Sequence, residues 1–532
     1  YGLATAYETA ARGLRVALVD AGDFGAATSF NHQRTAHGGL RLLQSGRLDL
    51  AKAAIRERRT LARIVPRLLR PMPFIIGTYR SFATNRLALA AAFRIDRWLG
   101  RDRNEGIEPE LHLPAPRLTS RAATLKLFPG VRERGLTGGA MWYDYQITLT
   151  NRLAIAFAAA ADARGAVLAN YLEAVSTIRE SGRIAGMRVR DTRSGSEFDI
   201  RARLTINTAG AHAGTIMRMF GVERPYPLLK AMNLVTSRSA SDIALAAPAH
   251  AGAAASTTGS ASPGQLTSGR MLTLTPWLGR ALVGTAQTRR FVRPDETSVT
   301  PRDVDDFIVD ANSAFPALRV SRENVTLVHR GVVPARGTDG RAELLGAPFI
   351  LDHAREGAAG AMTVIGVKFT TARGVASHAA AAAARALGGR SRSGNTERAV
   401  LPGAGIADHE ALAIETARAA EIELAAPIIR RLIDVYGDRC APIIRLMGER
   451  SVWRMPLAPE QLAVGAEVIY AIREEMALTL VDVVVRRTEL GAMAHPSDAV
   501  VAGAAGIAAD ELGWDAERRG REVAQVRDFY NW

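Results

Sequence analysis

The stretch TAHGGLRLLQ, Thr35 to Gln44, sets a histidine and two adjacent glycines directly before Leu40 and Arg41. Two positions without a Cβ let the backbone bend tightly or approach a partner closely, and the arginine then offers a rigid fork of donors suited to an anion. His37 is either a turn residue or a group that handles protons. Two further stretches put strand ends next to glycine, RLTINTAGAHAG at 203–214 and GVKFTTARG from Gly366, the second carrying Lys368. Near the start, RVALVDA closes a short apolar run on the acid Asp20. Backbone amides at glycine turns with an acid at a strand end are suited to holding a phosphate-bearing ligand.

The elements that must position these residues follow from pattern. YGLATAYETA reads as a helix of small residues that Gly13 ends, and RVALVDA as the strand after it. Helix, glycine, strand and acid in this order form the second half of a dinucleotide-binding unit, with Gly2 as the last glycine of its phosphate turn. Asp20 stands about 20 residues on, the spacing of a ribose-binding acid. A strand and the rest of that turn would come before it, so the start reads as truncated. Strand, glycine and helix recur at 203–214 and from Ala361, and three such sites so far apart suggest one extended ligand.

Composition narrows the class. A chain of 532 residues, 48% hydrophobic, can bury more than one core, which suggests two or three domains. The net charge of +15 favours anionic partners, while 6% aromatic residues argue against a base-stacking nucleic-acid surface. No apolar run reaches the ~20 residues of a membrane-spanning helix. RERRTLARIVPRLLR, Arg56 to Arg70, is expected as a solvated helix face interrupted by Pro66, with an acidic membrane surface as the alternative. The single cysteine, Cys440, excludes an internal disulfide and a cysteine metal cluster and reads as a small filler, and no metal is expected.

Taken in order, the opening helix with ALVDAGDFGAATS, then HGGLR, NTAGAHAG, PWLGRALVGT, HRGVVPA and GVKFTTARGVA resemble the FAD-dependent glycerol-3-phosphate dehydrogenases, within the glutathione-reductase-like flavoprotein oxidoreductases. EEMALTLVDVVVRRTELG, Glu474 to Gly491, resembles that family's helical C-terminal domain. The resemblance implies an α/β fold with a discontinuous, Rossmann-like FAD-binding domain at 1–90, 145–215 and 325–385. It further implies a mixed α+β substrate domain at 91–144 and 216–324 and a helical domain at 400–532. The implied reaction passes a hydride from sn-glycerol 3-phosphate to flavin N5, giving dihydroxyacetone phosphate, with a membrane quinone or oxygen as electron acceptor.

The same resemblance assigns residues. Gly2, Asp20, Thr28, Ser29, Ala209 and Gly210 would hold the ribose and pyrophosphate of FAD, and Ala174 and Val175 would flank the adenine. His37, Gly38, Gly39 and Leu40 would run under the flavin ring, where a Cβ would collide. Gly331, Gly366, Lys368, Phe369 and Thr370 complete the cofactor set, with Thr370 and Thr371 capping the next helix. Arg41 would hold the anionic substrate, and Lys368 would stabilise negative charge near flavin N1. His329 is the alternative base, and Arg330 the replacement for a phosphate-binding arginine.

Several positions depart from the family pattern. Leu42 stands where a tyrosine is common, Asn233 where many members carry histidine, and Val333 where bacterial members carry arginine. Asparagine cannot act as a general base near neutral pH. Two alternatives therefore stay open: a flavin enzyme acting on another small hydroxy or amino acid, and a flavin-binding protein with reduced turnover. The expected setting is cytoplasmic, as a homodimer in peripheral contact with the inner face of the cell membrane, without nucleic acid.

Overall fold

A computed structural model describes residues 1–44, 46–80, 85–248, 266–389, 393–405 and 408–532, apart from the side chains of Arg41, Gln44 and 266–270. The opening helix, Gly2–Ala10, buries Ala4, Ala6 and Ala10, whose small side chains let it lie between the helices Thr150–Asp162 and Ala372–Ala386. Arg373 ties this layer together: its guanidinium donates to Glu57 Oε1 and Oε2 at 2.5 and 2.9 Å and to Glu8 Oε1 at 3.1 Å. Three helices distant in sequence are thereby joined around one buried cation.

Short parallel strands lie beside these helices. Ala17–Val19 pairs with Val167–Ala169, and Thr205–Asn207 pairs with Ala361–Ile365, which Phe349–Asp352 flanks antiparallel. A meander of Leu172–Glu180, Arg183–Asp191 and Glu197–Arg201 follows the first pair. The chain is therefore α/β in its cofactor half, as the sequence implied.

The second layer is a ten-stranded sheet. Its order is Glu343–Leu344, Val325–Arg336, Leu228–Thr236, Arg280–Thr288, Leu266–Trp277, Ala244–Ala247, Leu69–Thr78, Gly138–Ile147 and Thr35–Ala36, with Arg117–Thr119 added on Gly138–Ile147. Leu69–Thr78 and Val325–Arg336, assigned from sequence to the cofactor domain, hydrogen-bond into the large sheet instead. Apolar residues on such strands fit either layer, and only the pairing partner decides.

Other expectations change as well. Within the alanine-rich stretch 240–269, Ala244–Ala247 is a buried strand bridging two others; 249–265 lies outside the described residues. The basic segment from Arg56 is not a solvated face: helix Leu48–Ile64 buries Ala51, Ala54, Ile55, Leu61 and even Arg58. Only outward residues such as Arg56, paired with Glu397 at 2.7 Å, meet water. The segment AEVIYAIREEMALTLVDVVVRRT holds helix Gly465–Arg473 and a separate π-helical turn, Asp482–Arg487.

That turn docks the helical C-terminal half. Asp23 accepts hydrogen bonds from Arg487 Nη2 at 2.6 Å and Nη1 at 2.8 Å and from Arg486 Nε at 2.6 Å, all with side chains at most 8% exposed. Burial alone would raise this carboxyl, but Arg487 and Arg486 hold it at about 2. Arg152 makes a second buried bridge, to both oxygens of Glu475 at 2.7 Å. The match of 474–491 to a family segment thus has a structural reason, since Glu475, Asp482, Arg486 and Arg487 all face the cofactor half.

Candidate active site

The three glycine turns converge. Gly2 begins its helix so close to the other two elements that a Cβ would stand 3.0 Å from Thr208 Oγ1 and 3.6 Å from Leu18 Cδ1. Asn207 then donates to Thr363 Oγ1 at 3.1 Å, which aligns the Ala209–Gly210 turn with the strand leading to Gly366. Gly210 has φ +57° and open space on its Cβ side, a cradle that a side chain would fill. Asp20 ends its strand at an accessible position set deep among protein atoms, which pushes its carboxyl up to about 6. Its carbonyl accepts from Leu172 N–H at 2.8 Å, so the meander bearing Ala174 and Val175 starts beside it. An acid, the open turn at Gly210 and parallel strand ends fit a dinucleotide, with Gly2, Asp20, Ala209, Gly210 and Gly366 as the groups that would hold it; at Gly366 the Tyr1 ring stands 2.1 Å from where a Cβ would be.

A second group of residues meets where the cofactor half touches the large sheet. The His37 N–H donates to Thr370 Oγ1 at 3.0 Å, bringing the HGG turn against the turn that contains Lys368 and Phe369. Phe369 stacks on His32 with ring centroids 4.5 Å apart. Thr28 donates to the carbonyl of Val332 at 3.0 Å and lies over Gly331, whose Cβ would come within 3.3 Å of its hydroxyl. Ser29 is half-buried next to it. Thr371 is the N-cap residue of helix Ala372–Ala386, but neither threonine makes the expected side-chain capping bond: Thr370 serves His37, and Thr371 Oγ1 donates to Lys368 O at 3.3 Å. Leu40 and Arg41 open the short helix Leu40–Gln44, and the Arg41 side chain lies outside the described residues.

Asp144 is the residue that sequence reading missed. It sits under the HGG turn on strand Gly138–Ile147 and accepts from Gly38 N–H at 2.6 Å, Arg58 Nη1 at 2.5 Å and Trp142 Nε1 at 3.2 Å. His37 Nδ1 is 3.5 Å away, on a ring that is 46% exposed. Burial would raise this carboxyl, yet the contacts to His37, Arg58 and the Gly38 amide together hold it below the usual range. A lone acid inside the aromatic strand MWYDYQI was the available signal.

The glycines acquire a reason inside the protein. A Cβ on Gly38 would stand 2.1 Å from Arg58 Nη1, so the missing side chain makes room for a buried guanidinium. Gly39 has φ +83° and faces Ala51 and Ala54 across 3.2–3.3 Å. Helix Leu48–Ile64, rather than a ligand alone, requires both positions.

His329 and Arg330 do not join this group. His329 is fully buried beside Phe30 and Trp277, at centroid distances of 5.2 and 6.2 Å, and neither ring nitrogen has a partner among the described residues. Burial first, then Arg34 and His32, pull it well below its ordinary range, so it stays neutral. Phe30 and Trp277 line one side of it, and Asn233 is its cross-strand neighbour. Arg330 points the other way along its strand and donates to the carbonyl of Asn531 at 2.9 Å.

Known proteins resemble the whole of this arrangement. The profile of FAD dependent oxidoreductases matches residues 1–382, and that of the C-terminal domain of alpha-glycerophosphate oxidase matches 394–519. A glycerol-3-phosphate dehydrogenase of Synechocystis sp. is 27% identical over 99% of this chain and 94% of its own length. One of Mycobacterium leprae is 28% identical, over 98% and 85%. The crystal structure of the glycerol-3-phosphate dehydrogenase from Bacillus halodurans, complexed with FAD, shares the fold at a TM-score of 0.72 and 20% identity, covering 99% of this chain and 92% of that one. With its cofactor cradle and its profile match over residues 1–382, the chain belongs to the family of FAD dependent oxidoreductases.

Proposed function

We propose that this flavoprotein oxidises sn-glycerol 3-phosphate to dihydroxyacetone phosphate. The observation that carries the reading is the union, in one chain, of the FAD-dependent fold with the C-terminal domain described for alpha-glycerophosphate oxidase, joined through Asp23 and Arg487. FAD, when bound, supplies the hydride acceptor for the carbinol carbon. Lys368, on the turn that meets HGG, supplies positive charge for an anionic substrate and for charge developing in the reaction. In this reading His37 takes the hydroxyl proton at Nε2, with Nδ1 turned towards the buried Asp144, which orients the ring. Arg41, two residues after the HGG turn, is the further anion contact of this reading.

Electrons would leave to a membrane quinone. In support, helix Arg86–Leu99 exposes Leu87 and Trp98 on one stripe together with Arg94 and Arg97, and its single acid, Asp96, is buried against Arg103. A cleft of about 480 Å³ is lined by Arg80, Arg132 and Arg134, so an anionic bilayer is a complementary partner. Among the described residues, no helix is long and apolar enough to cross a membrane. Sedimentation with anionic vesicles, lost in Trp98→Asp, checks the contact. The reaction is tested by adding glycerol 3-phosphate anaerobically to the FAD-loaded protein and following the flavin's visible absorbance. Bleaching is expected. Bleaching only by another hydroxy or amino acid, or by none, refutes the substrate.

A further inference from the structure

Four polar side chains meet on one face of the large sheet. Gln33, just before Thr35–Ala36, accepts at Oε1 from the Thr273 hydroxyl, and Thr285 donates to Asn233 Oδ1 at 2.8 Å. Each threonine thus occupies the acceptor end of a carboxamide and turns its donor end, the NH₂, away from itself. Gln33 Nε2 is buried without a partner among the described residues, and Asn233 is only 3% exposed. Gly284 is what allows the two amides to lie together: a Cβ there would stand 1.9 Å from Asn233 Oδ1 and 2.2 Å from Gln33 Nε2. A buried amide nitrogen left unpaired costs free energy, which a bound oxygen would recover.

The place and the charge of this pair limit what it can bind. His32 precedes Gln33 and stacks on Phe369, the neighbour of Lys368, so the amides adjoin the turn that meets HGG. Burial, then Arg34 and His37, pull His32 down to about 3, which leaves it uncharged. Two neutral donors held by hydroxyls suit a hydroxyl or carbonyl oxygen better than a phosphate, which attracts cations. We infer that Gln33, with Asn233 beside it, binds the terminal hydroxyl of the polyol and so sets substrate specificity. This inference rests on the glycerol 3-phosphate reading and names the group that recognises the end of the substrate remote from its phosphate.

The test compares glycerol 3-phosphate with propane-1,2-diol 1-phosphate, which keeps the oxidisable secondary alcohol and the phosphate but lacks the terminal hydroxyl. In the FAD-loaded enzyme, Gln33→Met keeps side-chain length without the donors. It should raise KM for glycerol 3-phosphate about 10- to 100-fold while moving KM for the diol phosphate less than about threefold. The dissociation constant of dihydroxyacetone phosphate, measured by titration calorimetry, should rise by the same factor. Thr273→Val, which frees the amide to turn, should act in the same direction by about 3- to 10-fold. It decides the matter alone if Gln33→Met fails to fold. Equal shifts for both substrates, or unchanged affinity for dihydroxyacetone phosphate, overturn the amide pocket and leave the reaction standing. A wild-type flavin that glycerol 3-phosphate does not reduce overturns the reaction and the pocket together.

Discussion

Replacing Gly38 by alanine tests why the HGG turn lacks side chains. The backbone of Gly38 is not in the left-handed region, so alanine is conformationally allowed and any penalty comes from space. Its Cβ would lie 2.1 Å from Arg58 Nη1 and 2.5 Å from Cζ, which forces the guanidinium to leave. Arg58 would then lose the carbonyl of Tyr143 at 2.9 Å and Asp144 Oδ1 at 2.5 Å, with both charged side chains at most 4% exposed. Breaking a buried pair in this way costs about 3–5 kcal/mol, a large share of the ~5–15 kcal/mol that holds a typical domain. Urea unfolding of Gly38→Ala, Arg58→Met and the double variant measures the coupling. If the clash is with Arg58, the double variant should be no less stable than Arg58→Met by more than about 1 kcal/mol. Strictly additive losses would refute the argument. Bound FAD in the double variant separates the second reason, because a Cβ that obstructs a flat ring would still expel the cofactor once the arginine is gone.

Three further outcomes concern titratable side chains. Asp23→Asn should destabilise the docked C-terminal half by about 3–5 kcal/mol, as two buried arginines lose their counter-charge. With the folded carboxyl at about 2 and an unfolded value of about 3.9, the stabilisation is complete above about pH 4 and is lost as pH falls through 2. Acid titration of the wild type should show this leg, and Asp23→Asn should lack it. Asp20 has the opposite sign: raised to about 6, it disfavours the fold where it is ionised. Asp20→Asn should therefore leave the FAD-free protein slightly more stable near pH 7 yet weaken FAD binding, and wild-type affinity alone should fall as pH drops through 6. His329→Leu should keep flavin reduction within about threefold with an unchanged pH profile, since a neutral buried ring takes no part. A loss beyond about a hundredfold would restore it as the base.

Much of the cofactor half was legible because it is built from local signals. The helix from Gly2, the strand before Asp20 and the turns at Ala209–Gly210 and Gly366 each announce themselves within a dozen residues. What sequence could not provide was partnership across the chain. Asp144 is 106 residues from Gly38, Gln33 is 240 from Thr273, and Asp23 is 464 from Arg487. HRGVVPA lies on the strand Val325–Arg336, but alternation does not say which neighbour covers each face. Whether His329 met substrate or aromatic rings depended on Phe30 and Trp277.

The sequence by itself determined the order of elements and the residues that could touch a dinucleotide, because glycines, strand-ending acids and small-residue helices carry backbone constraints that act locally. Only the tertiary structure decided what those residues face. Gly38 accommodates Arg58, Asp144 stands behind His37, and Gln33 meets Asn233 across Gly284. Burial and hydrogen bonding depend on elements distant in the chain, and these contacts fix which charges persist, which amides are left with a free donor, and hence what chemistry the site can perform.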